Sequence, residues 1–282
     1  PLMLVAIARP AAVVTLPSQH ETVILSMDVS GSMRATDVKP SRIVAAQEAA
    51  RAFVAEQPKS TRIGVVSFAA TASVVQSPTH SREDILAAID RFQLQRGTAV
   101  GSGILVALKM IFPDAEFDLR SSDPRRDATR ASPLDPARPG DKAGAKSVPP
   151  GSYSSAAIIL LTDGETTTGP DPIESARMAA DRGIRVYTVG IGTQGGETIG
   201  AEGWSMRVRL DEQSLKTIAN LTQGEYFYAG TATDLQKIYK NLNTKLFFEQ
   251  KETEISALFA AAAALLALLS ALLSLLWFNR IF

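Results

Sequence analysis

A chain of 282 residues with 45% hydrophobic and 21% charged residues has the balance of a globular protein, long enough for one large domain or two small ones. Basic and acidic residues number 29 each, so nothing in the charge balance points to a nucleic-acid partner. Cysteine is absent, which excludes disulfides, thiolate metal sites and cysteine nucleophiles.

The amino end, Pro-Leu-Met-Leu-Val-Ala-Ile-Ala-Arg-Pro, is apolar but too short to span a bilayer, and it has neither an initiator Met nor the basic start of a signal peptide. Residues 1–20 read as the remnant of a membrane segment followed by a linker, with at least one further span expected upstream. Short β-branched runs then alternate with longer amphipathic ones. The pattern predicts a strand over 23–29, a helix over 41–57, strands over 62–68 and 72–76, and helices over 81–92 and 101–112. The run 156–163 is apolar almost throughout and reads as a buried central strand. A helix over 171–182, a strand over 184–189, a helix over 211–221, a short strand over 226–228 and a helix over 231–246 follow. Strands alternating with helices predict an α/β fold: a doubly wound, mainly parallel sheet with helices on both faces, spanning residues 21–246.

Two stretches break the rhythm. Residues 113–155 are rich in Pro, Ser, Asp and Arg and cannot bury a core, so they are expected to form a disordered surface insertion. Residues 192–210 mix Gly with alternating Met206, Val208 and Leu210, which predicts a hairpin or an excursion after a strand. Finally, residues 255–278 carry no charge and are dominated by Leu and Ala. At 1.5 Å per residue they cover roughly 36 Å, enough for a hydrocarbon core of about 30 Å, with Trp277 and Phe278 at the interface. This predicts a C-terminal transmembrane helix.

The chemistry lies where the first of these strands ends. In Met27-Asp28-Val29-Ser30-Gly31-Ser32-Met33 the strand runs into a loop that offers one carboxylate and two hydroxyls at alternating positions. In an open parallel sheet, ligands bind beyond the carboxyl ends of the strands. Gly31 is expected to let the backbone turn tightly enough for both hydroxyls to converge. Hard divalent cations take oxygen ligands of this kind. Two more oxygen groups fall at the same sheet edge. Thr98 sits in Arg96-Gly97-Thr98-Ala99 ahead of a helix, and Asp163 ends the central strand before Gly164.

These residues resemble the von Willebrand factor A family, whose metal-ion-dependent adhesion site combines an Asp-x-Ser-x-Ser loop with a distant Thr and a distant Asp before Gly. The resemblance runs from about residue 21 to residue 246. It implies that Asp28, Ser30, Ser32, Thr98 and Asp163 hold a divalent metal, Mg²⁺ with Mn²⁺ or Ca²⁺ as alternatives. A further coordination position is then left for an Asp or Glu of a protein partner. Ala8-Arg9-Pro10, Ala35-Thr36-Asp37-Val38, Pro40-Ser41-Arg42 and Gly224-Glu225-Tyr226-Phe227-Tyr228 are similar to the Bat aerotolerance group of bacterial membrane proteins. That likeness implies the bacterial inner membrane, an A domain on the periplasmic side, and as partners a MoxR-type AAA+ ATPase and other Bat-type proteins.

Other chemistries find less support in the residues. Gly190-Ile191-Gly192-Thr193-Gln194-Gly195 matches a dinucleotide fingerprint, but the residues after it lack helical periodicity. The two histidines, His20 and His80, have no nucleophile elbow to serve. No enzymatic activity is expected. A membrane-tethered metal-dependent hydrolase and a channel-associated regulatory subunit are the alternatives to an interaction module.

Overall fold

The computed structural model describes residues 11–17, 22–115, 117, 148–193, 195–201, 204–254 and 256–278. In chain order they form β1 (Ala11–Pro17), β2 (Thr22–Asp28), a 3-10 turn (Gly31–Arg34), α1 (Arg42–Glu56), β3 (Arg62–Phe68), β4 (Ala72–Thr79), α2 (Arg82–Asp90) and α3 (Val100–Ile111). They continue with β5 (Ala156–Thr162), α4 (Pro172–Ala180), β6 (Arg185–Ile191), β7 (Glu197–Ala201), β8 (Trp204–Val208) and α5 (Glu212–Leu221). The last elements are β9 (Tyr226–Ala229), α6 (Ala232–Phe247), β10 (Phe248–Glu254) and α7 (Ser256–Phe278).

The chain divides into two compact units, Gln19–Leu246 and a second made of Pro1–Ser18 with Phe247–Phe282. In the first, six strands form one sheet in the order β4-β3-β2-β5-β6-β9. All neighbours are parallel except β4, which pairs antiparallel with β3 at one edge. The predicted doubly wound α/β fold is therefore observed.

Alternation along the strands separates two cores. Val23, Leu25, Met27, Ile159 and Leu161 face α1, α2 and α6, where Phe53, Ile85 and Tyr239 meet them. Ile24, Val66, Ile158 and Leu160 face α3, α4 and α5, through Ile104, Ala176 and Leu215. Because both faces are covered, β2 and β5 are buried at every position, which is why they read as continuous apolar runs. The helices start at polar caps: Ser41 accepts from the Val44 amide, Ser81 from Asp84, Asp171 from Ile173 and Glu174, and Asp211 from Ser214.

Following β2 the chain winds outward through β3, and following β5 it winds the other way through β6. The order thus reverses between adjacent β2 and β5. Such a switch point opens a crevice beyond the carboxyl ends of the strands, between the loops that leave them.

The hairpin expected within 192–210 is present as the two-stranded sheet β7-β8. Most of the 113–155 insertion, residue 116 and residues 118–147, lies outside the described residues. Its described end is tied down: the Val148 amide donates to the Asp181 carbonyl and the Tyr153 amide to that of Gly183.

In the second unit, β1 pairs antiparallel with β10, Ala11 opposite Glu254 and Pro17 opposite Phe248. Residues 11–17 are therefore a strand and not the expected linker. Residues 1–10, read as a membrane remnant, lie outside the described residues. The predicted C-terminal helix forms as α7, uncharged over its 23 residues. Its expected passage through a membrane is a separate matter: among the described residues no helix is long and apolar enough to cross a membrane. The described side chains of α7, at 261 and 263–274, include the exposed Leu265, Leu266, Leu268, Leu269, Leu272 and Leu273.

Candidate metal centre

Three loops converge at the switch point. The first leaves β2 at Asp28, a carboxylate with no exposed surface. Its Oδ1 accepts from the Ser30 amide at 2.7 Å and its Oδ2 from the Thr162 hydroxyl at 2.6 Å. The 3-10 turn then folds Ser32 back so that its hydroxyl lies 2.8 Å from that of Ser30. Ser32 also acts on the Asp163 carboxyl, favouring its charged form. Asp28, Ser30, Ser32 and Asp163 thus form one connected cluster, all within 7% of full burial.

Thr98 reaches the cluster through its backbone. Its amide donates to the Thr167 hydroxyl at 2.9 Å, and its carbonyl accepts from the Thr167 and Thr168 amides. The loop ahead of α3 is thereby bound to the loop that follows Asp163. The Gln95 amide donates to the Val29 carbonyl at 2.8 Å, which draws the same loop against the first.

The Ser30 hydroxyl is not taken up in helix capping. Ala99, which precedes α3, and Ser30, which precedes the 3-10 turn, make no side-chain cap bond. Gly31 departs from its expected role. It has no left-handed φ, and a Cβ there would meet only the Gln95 carbonyl oxygen at 3.8 Å. The 3-10 turn, not glycine's freedom, brings the serines together. Gly164 and Gly101 carry the close approaches instead. Gly164 has φ +82° with the Asp211 carbonyl 2.7 Å from its ideal Cβ, and at Gly101 the Pro170 carbonyl lies at 2.3 Å.

Sequence reasoning missed the charged groups behind the site. Arg42, wholly buried, donates to Asp163 Oδ2 at 3.1 Å through Nη1, and forks onto Asp37 at 2.8 and 2.7 Å through Nε and Nη2. A signal was available. Arg42 is the first residue of α1, where the helix dipole disfavours a cation and the first turn holds no acid. A cation there requires carboxylates from elsewhere in the fold.

The electrostatics follow from burial. Burial pushes the Asp28 carboxyl up to about 7, helped by the charge of Asp163 and opposed by the hydrogen bonds from Ser30 and Thr162. Asp163 is also raised by burial, against Ser32 and Arg42. Burial acts in the same direction on Asp37, but the Arg42 guanidinium and Thr193 outweigh it and hold that carboxyl at about 2. Asp37 and Asp163 share the one guanidinium of Arg42, while Asp28 lies against the charge of Asp163. Buried charge without a counter-charge is costly, so a divalent cation fits this arrangement electrostatically. The donors are carboxylates and hydroxyls, the hard oxygens that Mg²⁺, Mn²⁺ and Ca²⁺ take. Among the described residues no group of three or more His, Cys, Asp or Glu is placed to hold a metal, so any cation here depends on hydroxyls as well.

Two family models, both described as von Willebrand factor type A domain, match residues 23–129 and 143–241. They cover successive parts of one sheet, since β2 from the first match pairs with β5 from the second. A UPF0353 protein of Mycobacterium sp. (strain KMS) is 35% identical over 286 residues, 99% of this chain and 76% of that protein. Among solved structures, the conserved hypothetical protein BatB from Bacteroides thetaiotaomicron superposes with a TM-score of 0.58 at 25% identity, over 80% of this chain and 98% of that one. Proximal thread matrix protein 1 from the mussel byssus, with a zinc-occupied MIDAS motif, shares the fold at a TM-score of 0.55 and 18% identity, over 86% of this chain and 50% of that one. The chain belongs to the UPF0353 family and carries a von Willebrand factor type A domain related to that of the Bat proteins.

Proposed function

We propose that the protein is a membrane-anchored interaction module that binds an acidic group of a partner protein through a divalent cation. The observation that carries this reading is the pair of fully buried carboxylates, Asp28 and Asp163, at the ends of adjacent strands. With them stand the hydroxyls of Ser30, Ser32 and Thr98. These five residues would hold the cation, and Mg²⁺ suits an all-oxygen set, with Mn²⁺ or Ca²⁺ as substitutes. Bound there, the metal supplies a fixed positive charge in a water-poor crevice, where a carboxylate from a partner is attracted strongly. The zinc in the mussel protein's MIDAS motif supports a metal at this place in the fold.

The anchor is α7, whose 23 uncharged residues extend about 34 Å as a helix. Six large leucines lie exposed along it, an arrangement stable in lipid and costly in water. The phrases similar to the Bat aerotolerance group, among them Ala35-Thr36-Asp37-Val38 and Pro40-Ser41-Arg42, imply the bacterial inner membrane, with the A domain on the periplasmic side. The same phrases imply a MoxR-type AAA+ ATPase and other Bat-type proteins as the partners to try first.

The test is binding of the full chain to immobilised peptides that differ only in carrying Asp, Glu, Asn or Gln, with Mg²⁺ or with EDTA. Retention on the acidic peptides alone, abolished by EDTA and by a Ser30→Ala, Ser32→Ala double variant, is expected. Retention that survives EDTA would overturn the metal-dependent reading.

A further inference from the structure

The charged groups behind the site continue outward beyond Arg42. Asp37 Oδ2, besides accepting from Arg42, accepts from the amide and hydroxyl of Thr193 at 2.9 and 3.0 Å. Glu197, the first residue of β7, takes the other side of the same segment. Its Oε2 accepts from the Thr36 and Asp37 amides at 2.5 and 2.8 Å, and its Oε1 from the Thr36 hydroxyl at 2.9 Å. A connected chain of contacts therefore runs from Glu197 through the backbone amide of Asp37 to the Asp37 carboxylate, and from there by ion pairs to Arg42 and Asp163. It joins the β7-β8 hairpin, which lies outside the main sheet, to a carboxylate of the candidate metal centre.

The fold alone does not call for this arrangement. A buried arginine in the first turn of a helix is unfavourable to the dipole, and an apolar residue of similar volume would often serve stability as well. What the arrangement does achieve is geometric. The planar guanidinium, forked onto Asp37, is fixed in orientation. It then occupies one oxygen of Asp163, Oδ2, and leaves Oδ1 toward the Glu165 amide, 3.4 Å away, and the crevice. If the fork onto Asp37 is loosened, the same guanidinium is free to engage Asp163 more fully, where it competes with a cation.

We infer that Arg42, Asp37 and Glu197 are positioning residues for the metal centre, so that cation binding at Asp163 and the seating of the β7-β8 hairpin are coupled. This rests on the metal-binding reading proposed above. Coupling of this kind is reciprocal: whatever holds the hairpin strengthens cation binding, and the cation tightens the hairpin's hold on residues 36 and 37.

The experiment uses the full chain in detergent with Mn²⁺ as the probe. Calorimetric titration is combined with hydrogen exchange at the amides of residues 36, 37 and 193. The wild type is compared with Glu197→Ala, Glu197→Gln and Asp37→Asn, and thermal midpoints in EDTA check the fold of each. Glu197 lies at the surface, so its substitutions leave the core untouched. Expected are Mn²⁺ affinities about three- to tenfold weaker in Glu197→Ala and about tenfold or more weaker in Asp37→Asn. Glu197→Gln, which keeps an oxygen for the two amides, recovers part of the loss. In the wild type Mn²⁺ slows exchange at residues 36 and 37, and in Glu197→Ala it does not. Wild-type affinity in both Glu197→Ala and Asp37→Asn, with exchange at residues 36 and 37 indifferent to Mn²⁺, would overturn the inference while leaving the metal centre intact. A wild type that binds no Mn²⁺ would instead remove the metal centre itself, and the inference with it.

Discussion

Asp28 and Asp163 stand at the carboxyl ends of adjacent parallel strands with neither side chain exposed, and the charge of Asp163 adds to the burial that raises the pKa of Asp28. Without a cation, this pair opposes folding. A divalent cation bound between the loops, as proposed, would instead make this pair hold them together.

Stability of the metal-free protein is therefore predicted to depend on pH in a defined direction. The Asp28 carboxyl has a folded-state pKa of about 7 against an ordinary 3.8. The folded state therefore binds the proton more tightly than the unfolded chain, and the stabilisation is present in full below the lower value. It is lost as pH rises through the folded-state value, so midpoints measured in EDTA fall between about pH 4 and pH 7. Asp28→Asn should flatten this slope and give a midpoint in EDTA at pH 7.5 equal to or above the wild type's. It should also abolish any stabilisation by Mg²⁺. A wild-type midpoint that rises from pH 4 to pH 7 in EDTA would contradict the burial argument.

Among the glycines of the site, substitution should sort by the contact that a Cβ meets. Gly31→Ala has ordinary space beside the Gln95 carbonyl and should leave the midpoint within about 1 °C of the wild type. Gly101→Ala drives a Cβ to 2.3 Å from the Pro170 carbonyl, and Gly164→Ala adds a left-handed φ to a backbone clash. Each should cost about 2 kcal/mol or more, a fall of roughly 4–8 °C for a domain of this size. Thermal scans of the three variants decide the order.

If α7 lies in a bilayer, a charge at its centre is expensive. Leu268, 72% exposed, marks that centre, and Leu268→Lys should cost about 2.5–3.5 kcal/mol of insertion. Alkaline extraction of membranes from expressing cells should release more of the variant than of the wild type. Complete release of the wild type would argue against the anchor.

The sheet and its covering helices were legible because both faces of the sheet are buried: strands such as 156–162 read as unbroken apolar runs and the helices between them keep a helical period. The five donor residues were legible because they stand at the end of a strand, in the turn directly after it or just before a helix. What escaped the sequence depends on partners far apart in the chain. Arg42 meets Asp163 across 121 residues, and Glu197 meets Thr36 across 161. The β1-β10 pairing joins an apolar run read as a linker to Phe-Glu-Gln-Lys-Glu-Thr-Glu, which has no periodic apolar face. Gly31 misled because glycine between two serines suggests a tight left-handed turn, whereas a 3-10 turn needs no such freedom.

If Asp28, Ser30, Ser32, Thr98 and Asp163 bind a divalent cation, calorimetric titration of Mg²⁺ and Mn²⁺ into the full chain will show it, beside a Ser30→Ala, Ser32→Ala variant whose thermal midpoint in EDTA matches the wild type. Saturable binding at one site in the wild type, lost in the variant, is the predicted result. Equal binding by the two proteins, or no binding by the wild type, would contradict it.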